Sequence, residues 1–223
     1  MASIAVYAFS FNNPERMKRM NTRFETVGYP IHWIPPVLTS DARIPAEEPQ
    51  KRTHAIMLNH LDMIVAFLAS SHQYGIFCED DIYIHRDFAS FMPRIVEGYK
   101  RHGLDVLLLG YLMNYVPFSI QTFRGHDLLE TPPLFMNYND GLWGSQMYMM
   151  DKAAALKVLE TFQDFQHVKE CYSPDWTITK FGKRALVYPM LAVEEGNVAT
   201  DHVGQQEFHK QCAVIHYNPK YYF

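Results

Sequence analysis

Short apolar runs that alternate with helix-patterned segments constrain this chain more than anything else in its sequence. Ile4–Phe9, Tyr74–Cys78, Val106–Leu109, Ser145–Met150 and Ala185–Val193 have strand length, and Val106–Leu109 is a near-continuous apolar run of the kind found in strands covered on both faces. Asn13-Pro14 offers an N-cap and a first-turn proline for a polar, basic helix over Glu15–Thr26, which Gly28 ends. Met57, Leu61, Ile64, Val65 and Leu68 have helical spacing inside Lys51–Leu68. A helical stretch begins at Asp87, and Pro93 predicts a break there, with the main helix running from it to Gly103. Asp151 caps a helix over Lys152–Phe162, and Ser173-Pro174 opens a short one that ends at Gly182. Ile31–Ile34 reads as a further strand and Thr39–Gln50 as a loop. Tyr111–Trp143 reads as long loops with a hairpin, and the segment after Val193 as a polar tail. The alternation predicts an α/β fold with a mostly parallel central sheet flanked by helices. One domain over 1–223 is expected, standing alone or as part of a longer protein.

Composition excludes whole classes of function. Among 223 residues, 20 Lys and Arg stand against 24 Asp and Glu, for a formal charge of −4. That balance cannot neutralise a phosphate backbone over a wide footprint, so no nucleic-acid partner is expected. A nucleotide in a pocket needs only a few cations. Cys78, Cys171 and Cys212 are too scattered for a disulfide framework or a structural zinc site. The N-terminus shows no signal-peptide pattern, and the most apolar stretches carry Asn59, His60, Asp62 and Asn114. The expectation is a chain without a membrane span, in the cytoplasm.

Chemistry concentrates where Tyr74–Cys78 runs into Glu79-Asp80-Asp81. Three adjacent carboxylates beyond a buried strand lose hydration and repel one another, a penalty that a divalent cation removes. Ligands in open α/β sheets collect beyond the carboxyl ends of strands, where this cluster should lie. Strand alternation would point Glu79 and Asp81 to one side and Asp80 to the other, with Asp81 the better metal ligand. Oxygen ligands suit Mg²⁺ or Mn²⁺. The competing reading is an acidic turn or a helix cap.

That strand end resembles the Asp-x-Asp-type motif of nucleotide-sugar glycosyltransferases with the GT-A fold. The surroundings are most similar to glycosyltransferase family 25, the lipopolysaccharide-type enzymes, and to related enzymes of large algal viruses. Val6-Tyr7-Ala8-Phe9-Ser10 followed by Glu15-Arg16 resembles that family's first strand and Arg-bearing helix. Ala55-Ile56-Met57-Leu58-Asn59-His60 is similar to a helix that has Ser where Asn59 stands. Gly144–Met150, Pro174-Asp175-Trp176, Tyr188-Pro189 and Thr200-Asp201 resemble later elements in the same order, and Glu194-Glu195 stands near where the family usually has Gln.

The resemblance implies a single GT-A-like, Rossmann-like domain. It also implies a metal-dependent inverting transfer from a nucleotide-sugar, a UDP-sugar favoured, to a glycan or glycoprotein. Mn²⁺ or Mg²⁺ would be the cofactor. Asp81 would hold the metal with Glu79, and His202 is the candidate histidine, with His209 and His216 behind it. Asp80 or Glu79 would contact ribose, sugar or a metal-bound water. Ala8, Phe9, Ser10 and Asn12 would lie against the base, with Arg16 and Arg52 near phosphate. Asp175 is the candidate base, fixed in the first turn of a short helix, and Trp143 in its Gly-flanked loop is the candidate sugar platform. Trp176, Tyr111, Tyr115 and Tyr138 are further aromatic candidates. The viral resemblance implies a capsid-protein acceptor and action in the host cytoplasm. Two other readings compete: a metal-dependent phosphohydrolase or nuclease, and a nonenzymatic carbohydrate-binding, degenerate transferase domain.

Overall fold

The computed structural model describes residues 2–117, 132–164, 172–196 and 203–223. In chain order the elements are β1 (Ile4–Phe9), α1 (Pro14–Thr26), β2 (Ile31–Ile34), α2 (Lys51–Ala69), β3 (Tyr74–Cys78), β4 (Ile82–Ile84) and α3 (Phe88–His102). There follow β5 (Val106–Leu112), β6 (Leu134–Met136), β7 (Trp143–Asp151), α4 (Lys152–Phe162), a 3₁₀ turn (Ile178–Lys180), β8 (Arg184–Tyr188), β9 (Ala192–Glu194) and α5 (Val203–His216). Seven strands form the central sheet in the order β2-β1-β3-β7-β5-β8-β6. β2, β1, β3, β5 and β8 run one way, while β7 and β6 run against them. The fold is α/β with a mostly parallel sheet, as the alternation of the sequence predicts.

Alternating side chains along the strands feed two cores. Ala5, Tyr7, Phe9 and Phe77 meet Met57, Ile64 and Phe67 of α2 and Ala155 and Val158 of α4. Val6, Ala8, Ile76 and Cys78 meet Met20 and Phe24 of α1 and Phe88, Met92 and Ile95 of α3 on the opposite face. This period-two split of near-continuous apolar runs is what a sheet covered on both sides requires. Local signals set the helix ends. The Asn13 side chain accepts from the Arg16 N–H at 3.1 Å with Pro14 at the first position, and Asp151 accepts from the Ala154 N–H at 2.8 Å.

Several expectations need correction. α3 begins at Phe88 and continues through Pro93, because the stripe Phe88, Met92, Ile95, Val96 and Tyr99 is buried along its whole length. Packing along that stripe outweighs one lost helical hydrogen bond. Val65 lies on the outer side of α2 and is 49% exposed. Ser173-Pro174 opens a turn and then the 3₁₀ segment, not a continuous helix to Gly182. Ala185–Val193 divides at Pro189, which has no N–H to give a ladder, so β8 stays in the main sheet and β9 leaves it. The tail after Val193 contains α5, and Tyr111–Trp143 contributes the end of β5 and β6; its residues 118–131 lie outside the described residues.

β9 pairs antiparallel with β4, with Ile82 opposite Glu194. This small second sheet sets Glu194 and Glu195 beside the acidic end of β3, and the Glu195 N–H donates to the Asp81 carbonyl at 2.7 Å. α5 then packs on β9. Gly196, at φ 71°, allows that approach, since a Cβ there would come within 2.9 Å of the Ala213 side chain.

His60 is fully buried in α2, with Nδ1 2.8 Å from the Tyr148 hydroxyl and Nε2 without a partner among the described residues. Burial pushes its pKa down from 6.5 to about 3. Between those values the unfolded chain binds a proton that the folded chain refuses, so stability falls on acidification by about 1.4 kcal/mol per pH unit. His60→Leu should flatten the pH dependence of the unfolding free energy by about one proton between roughly pH 6 and pH 4. Denaturant unfolding across that range measures it, and an unchanged slope contradicts the assignment.

Candidate active site

Six segments converge beyond the carboxyl end of β3. β1 ends at Ser10, whose hydroxyl donates to Asp80. The first turn of α1 presents Arg16, whose Nη1 lies 2.9 Å from Asp80 Oδ1 and 3.0 Å from Asp81 Oδ2. β7 supplies Ser145, which donates to Glu79 Oε1 at 3.0 Å, and Gly144, whose N–H donates to Asp175 Oδ1 at 2.7 Å. Gly144 sits at φ 106°, and a Cβ there would meet Leu112 N at 2.6 Å, so the strand start depends on glycine. β9 brings Glu194, and α5 brings His209, whose Nδ1 is 2.6 Å from Glu194 Oε2. Glu195 is gripped by Arg19 at 2.8 Å and Arg23 at 2.5 Å.

The electrostatics are those of carboxylates crowded out of water. Burial raises the Glu79 pKa well above its ordinary value, and Asp81, Asp175 and Glu194 add to the rise. Burial and Glu194 push Asp81 up to about 7, although Arg16 opposes them. Asp175 is raised by burial, while the Gly144 N–H, Lys180 and His209 pull the other way. Burial disfavours the charged form of His209, but Glu194, Asp81 and Asp175 outweigh it and raise its pKa. Burial likewise works against the charge on Arg16, yet Asp81 and Asp80 hold its pKa above the ordinary value.

Alternation does not carry past Cys78, where β3 ends. Asp80 and Asp81 share Arg16, and Glu79 turns to Ser145. Ala8 and Phe9 are buried in β1, with Phe9 edge-on to Phe11 and His60, so their side chains belong to the cores. Asn12 is exposed at φ 55°. Arg16 meets the aspartates, and Arg52 is exposed in the first turn of α2. Trp143 and Trp176 are 41% and 36% exposed and meet edge-on with ring centroids 5.2 Å apart, each next in sequence to a member of the Gly144–Asp175 contact. Tyr115 is 57% exposed, whereas the Tyr111 and Tyr138 hydroxyls donate to the Val187 and Thr179 carbonyls. His202 lies outside the described residues. His216 is buried with Nε2 2.8 Å from the Met113 carbonyl, so His209 is the described histidine that faces the acidic cluster.

Among the described residues, no three His, Cys, Asp or Glu side chains converge as a ready-made metal cage. Among the described residues two buried side-chain oxygens, Asp81 Oδ1 and Gln146 Oε1, have no hydrogen-bond partner, and the first belongs to the acidic cluster. Mg²⁺-type ions are commonly held by one or two carboxylates and completed by substrate phosphates and water, which requires no full protein cage. The all-oxygen donor set at Asp81 and Glu79 fits such an ion.

No protein-family model and no curated protein matches the chain. Among solved structures, it is similar to a glycosyltransferase involved in the glycosylation of the major capsid of PBCV-1, with a TM-score of 0.46 and 12% identity over 93% of this chain and 98% of that one. It is also similar to residues 1–349 of S. aureus TarS, with a TM-score of 0.42 and 11% identity over 85% of this chain and 59% of that one. No described helix is long and apolar enough to cross a membrane.

Proposed function

We propose that the protein is a metal-dependent inverting glycosyltransferase that moves a sugar from a nucleotide-sugar donor, a UDP-sugar favoured, to a glycan or glycoprotein. One observation carries the reading. An unpartnered Asp81 oxygen and a carboxyl held at Asp175 beside two exposed tryptophans open from the same sheet end. The family 25 resemblance of the surrounding segments supports it. The resemblance to enzymes of large algal viruses extends the proposal to a capsid glycoprotein acceptor in the host cytoplasm.

Asp81, with Glu79, would hold Mn²⁺ or Mg²⁺ against the donor diphosphate. When bound, the ion offsets the negative charge that builds on the diphosphate as the sugar leaves. Ser10 fixes Asp80 beside the end of β3, and before the donor binds Arg16 holds it as well. Trp143 and Trp176 offer apolar ring faces to a sugar. Asp175 takes the acceptor hydroxyl proton as that oxygen bonds to the anomeric carbon from the side opposite the diphosphate. The bond from the sugar to the diphosphate oxygen breaks with its electron pair, so a single displacement inverts the anomeric centre. The Gly144 N–H keeps Asp175 aimed throughout.

A panel of nucleotide-sugars offered with glycan acceptors and Mn²⁺, followed by mass spectrometry, tests this. Acceptor mass should rise by one sugar residue as nucleoside diphosphate appears. Phosphate release without sugar transfer would instead favour a phosphohydrolase. Glycan binding without any turnover would favour a binding domain.

A further inference from the structure

The α1 stripe Arg16, Arg19 and Arg23 turns three guanidiniums toward the acidic end of the sheet, but they serve different anions. Arg19 and Arg23 close on Glu195, and Arg23 also donates to the Ile82 carbonyl at 3.0 Å and lies over the Tyr83 ring. Arg16 alone of the three reaches Asp80 and Asp81, through one nitrogen, and its side chain is 26% exposed against 10% for Arg23. It therefore stands as a positive charge between two aspartates, while Asp81 Oδ1, on the carboxylate whose Oδ2 it touches, has no partner among the described residues.

We propose that Arg16 is a resident cation that holds Asp80 and Asp81 together in the ligand-free protein and, when donor and divalent ion bind, turns its guanidinium to the donor diphosphate. The inference rests on the glycosyltransferase reading. An ion at Asp81 Oδ1 and the Arg16 guanidinium 3.0 Å from Asp81 Oδ2 would lie a few ångströms apart with like charge. Both cannot be held favourably by one carboxylate in a site this dry. A guanidinium released from the aspartates needs another anion, and its planar fork matches phosphate oxygens. Arg16 is thus a positioning residue with two partners in succession. It prevents the carboxylates from repelling one another before the donor arrives, and it makes the ion bind better with the diphosphate than alone.

This predicts opposite signs for two affinities. By isothermal titration calorimetry, Arg16→Ala should bind Mn²⁺ alone about tenfold more tightly than the wild type, because the competing charge is gone. The same variant should bind UDP in saturating Mn²⁺ about tenfold more weakly, because a charge-assisted contact to phosphate is lost. Arg16→Lys should fall between on both. Arg19→Ala removes the same charge one turn away without touching either aspartate, and should leave the Mn²⁺ affinity near the wild-type value. If Arg16→Ala does not fold, as a thermal melt would show, Arg16→Gln carries the same comparison. An Mn²⁺ affinity that is unchanged or weaker, or two affinities that move in the same direction, overturns the exchange and leaves the glycosyltransferase reading standing. A wild type that binds neither Mn²⁺ nor UDP overturns both.

Discussion

Asp81→Asn is expected to reduce sugar transfer at least about a thousandfold while the melting temperature at neutral pH holds or rises. The two halves have one cause. Asp81 is a buried carboxyl whose pKa is raised from 3.8 to about 7 by burial and by Glu194. A raised carboxyl is bound to its proton more tightly in the folded chain than in the unfolded one. The stability from that proton is present at low pH and lost as pH rises from about 3.8 toward about 7. Asparagine keeps the shape without the charge, so the loss disappears, a gain on the order of 1–3 kcal/mol near pH 7. One arm of the Arg16 bridge is weakened in exchange, while its contact with Asp80 remains. Thermal melts at several pH values read the stability half, and initial rates read the other. An active Asp81→Asn enzyme would remove the metal role, and a large drop in melting temperature would show that the carboxylate serves the fold.

Asp175→Asn should lower the transfer rate by about 10²- to 10⁴-fold, the range lost with a general base, and leave UDP binding close to wild type. The amide oxygen can still accept the Gly144 N–H, so the start of β7 is preserved. The pH profile separates a base from a spacer. Burial raises the Asp175 pKa above the ordinary 3.8, and the base works only when ionised. Wild-type turnover should therefore fall as pH drops through a value above 3.8, whereas the residual activity of Asp175→Asn should be flat there. Calorimetry with UDP and rate measurements from acid to neutral pH test this. A variant that keeps full turnover, or the wild-type acid limb, would show that Asp175 is not the base.

Much of this site is legible in the sequence because its anchors are local. An apolar run ending at Cys78 must stop where Glu79-Asp80-Asp81 begins, and Asn13-Pro14 and Asp151 announce their helices without help from distant residues. Asp175 and Trp143 belong to the same cluster, joined through Gly144. The remainder depends on pairing that leaves little local trace. β4 and β9 have three residues each, too short for a periodic pattern, yet their register carries Glu194 and Glu195 to the acidic end. The apolar residues of α5 do not line one buried face, with Val214 81% and Ile215 40% exposed, and its packing on β9 is what brings His209 to Glu194. The paired glutamates at Glu194-Glu195 were a visible signal, since adjacent carboxylates after an apolar run need cationic partners, and Arg19, Arg23 and His209 supply them. The shared use of Arg16 by Asp80 and Asp81 follows from the strand ending one residue before Glu79, a boundary that periodicity does not fix to one residue.

On the proposed function, Asp81 couples a divalent cation to a nucleoside diphosphate. Titration of UDP into the protein with and without Mn²⁺, for the wild type and Asp81→Asn, measures that coupling directly. UDP should bind at least about tenfold more tightly with Mn²⁺ in the wild type, with no Mn²⁺ effect in the variant. Equal UDP affinity with and without Mn²⁺ in the wild type, or the same Mn²⁺ effect in both proteins, would contradict it.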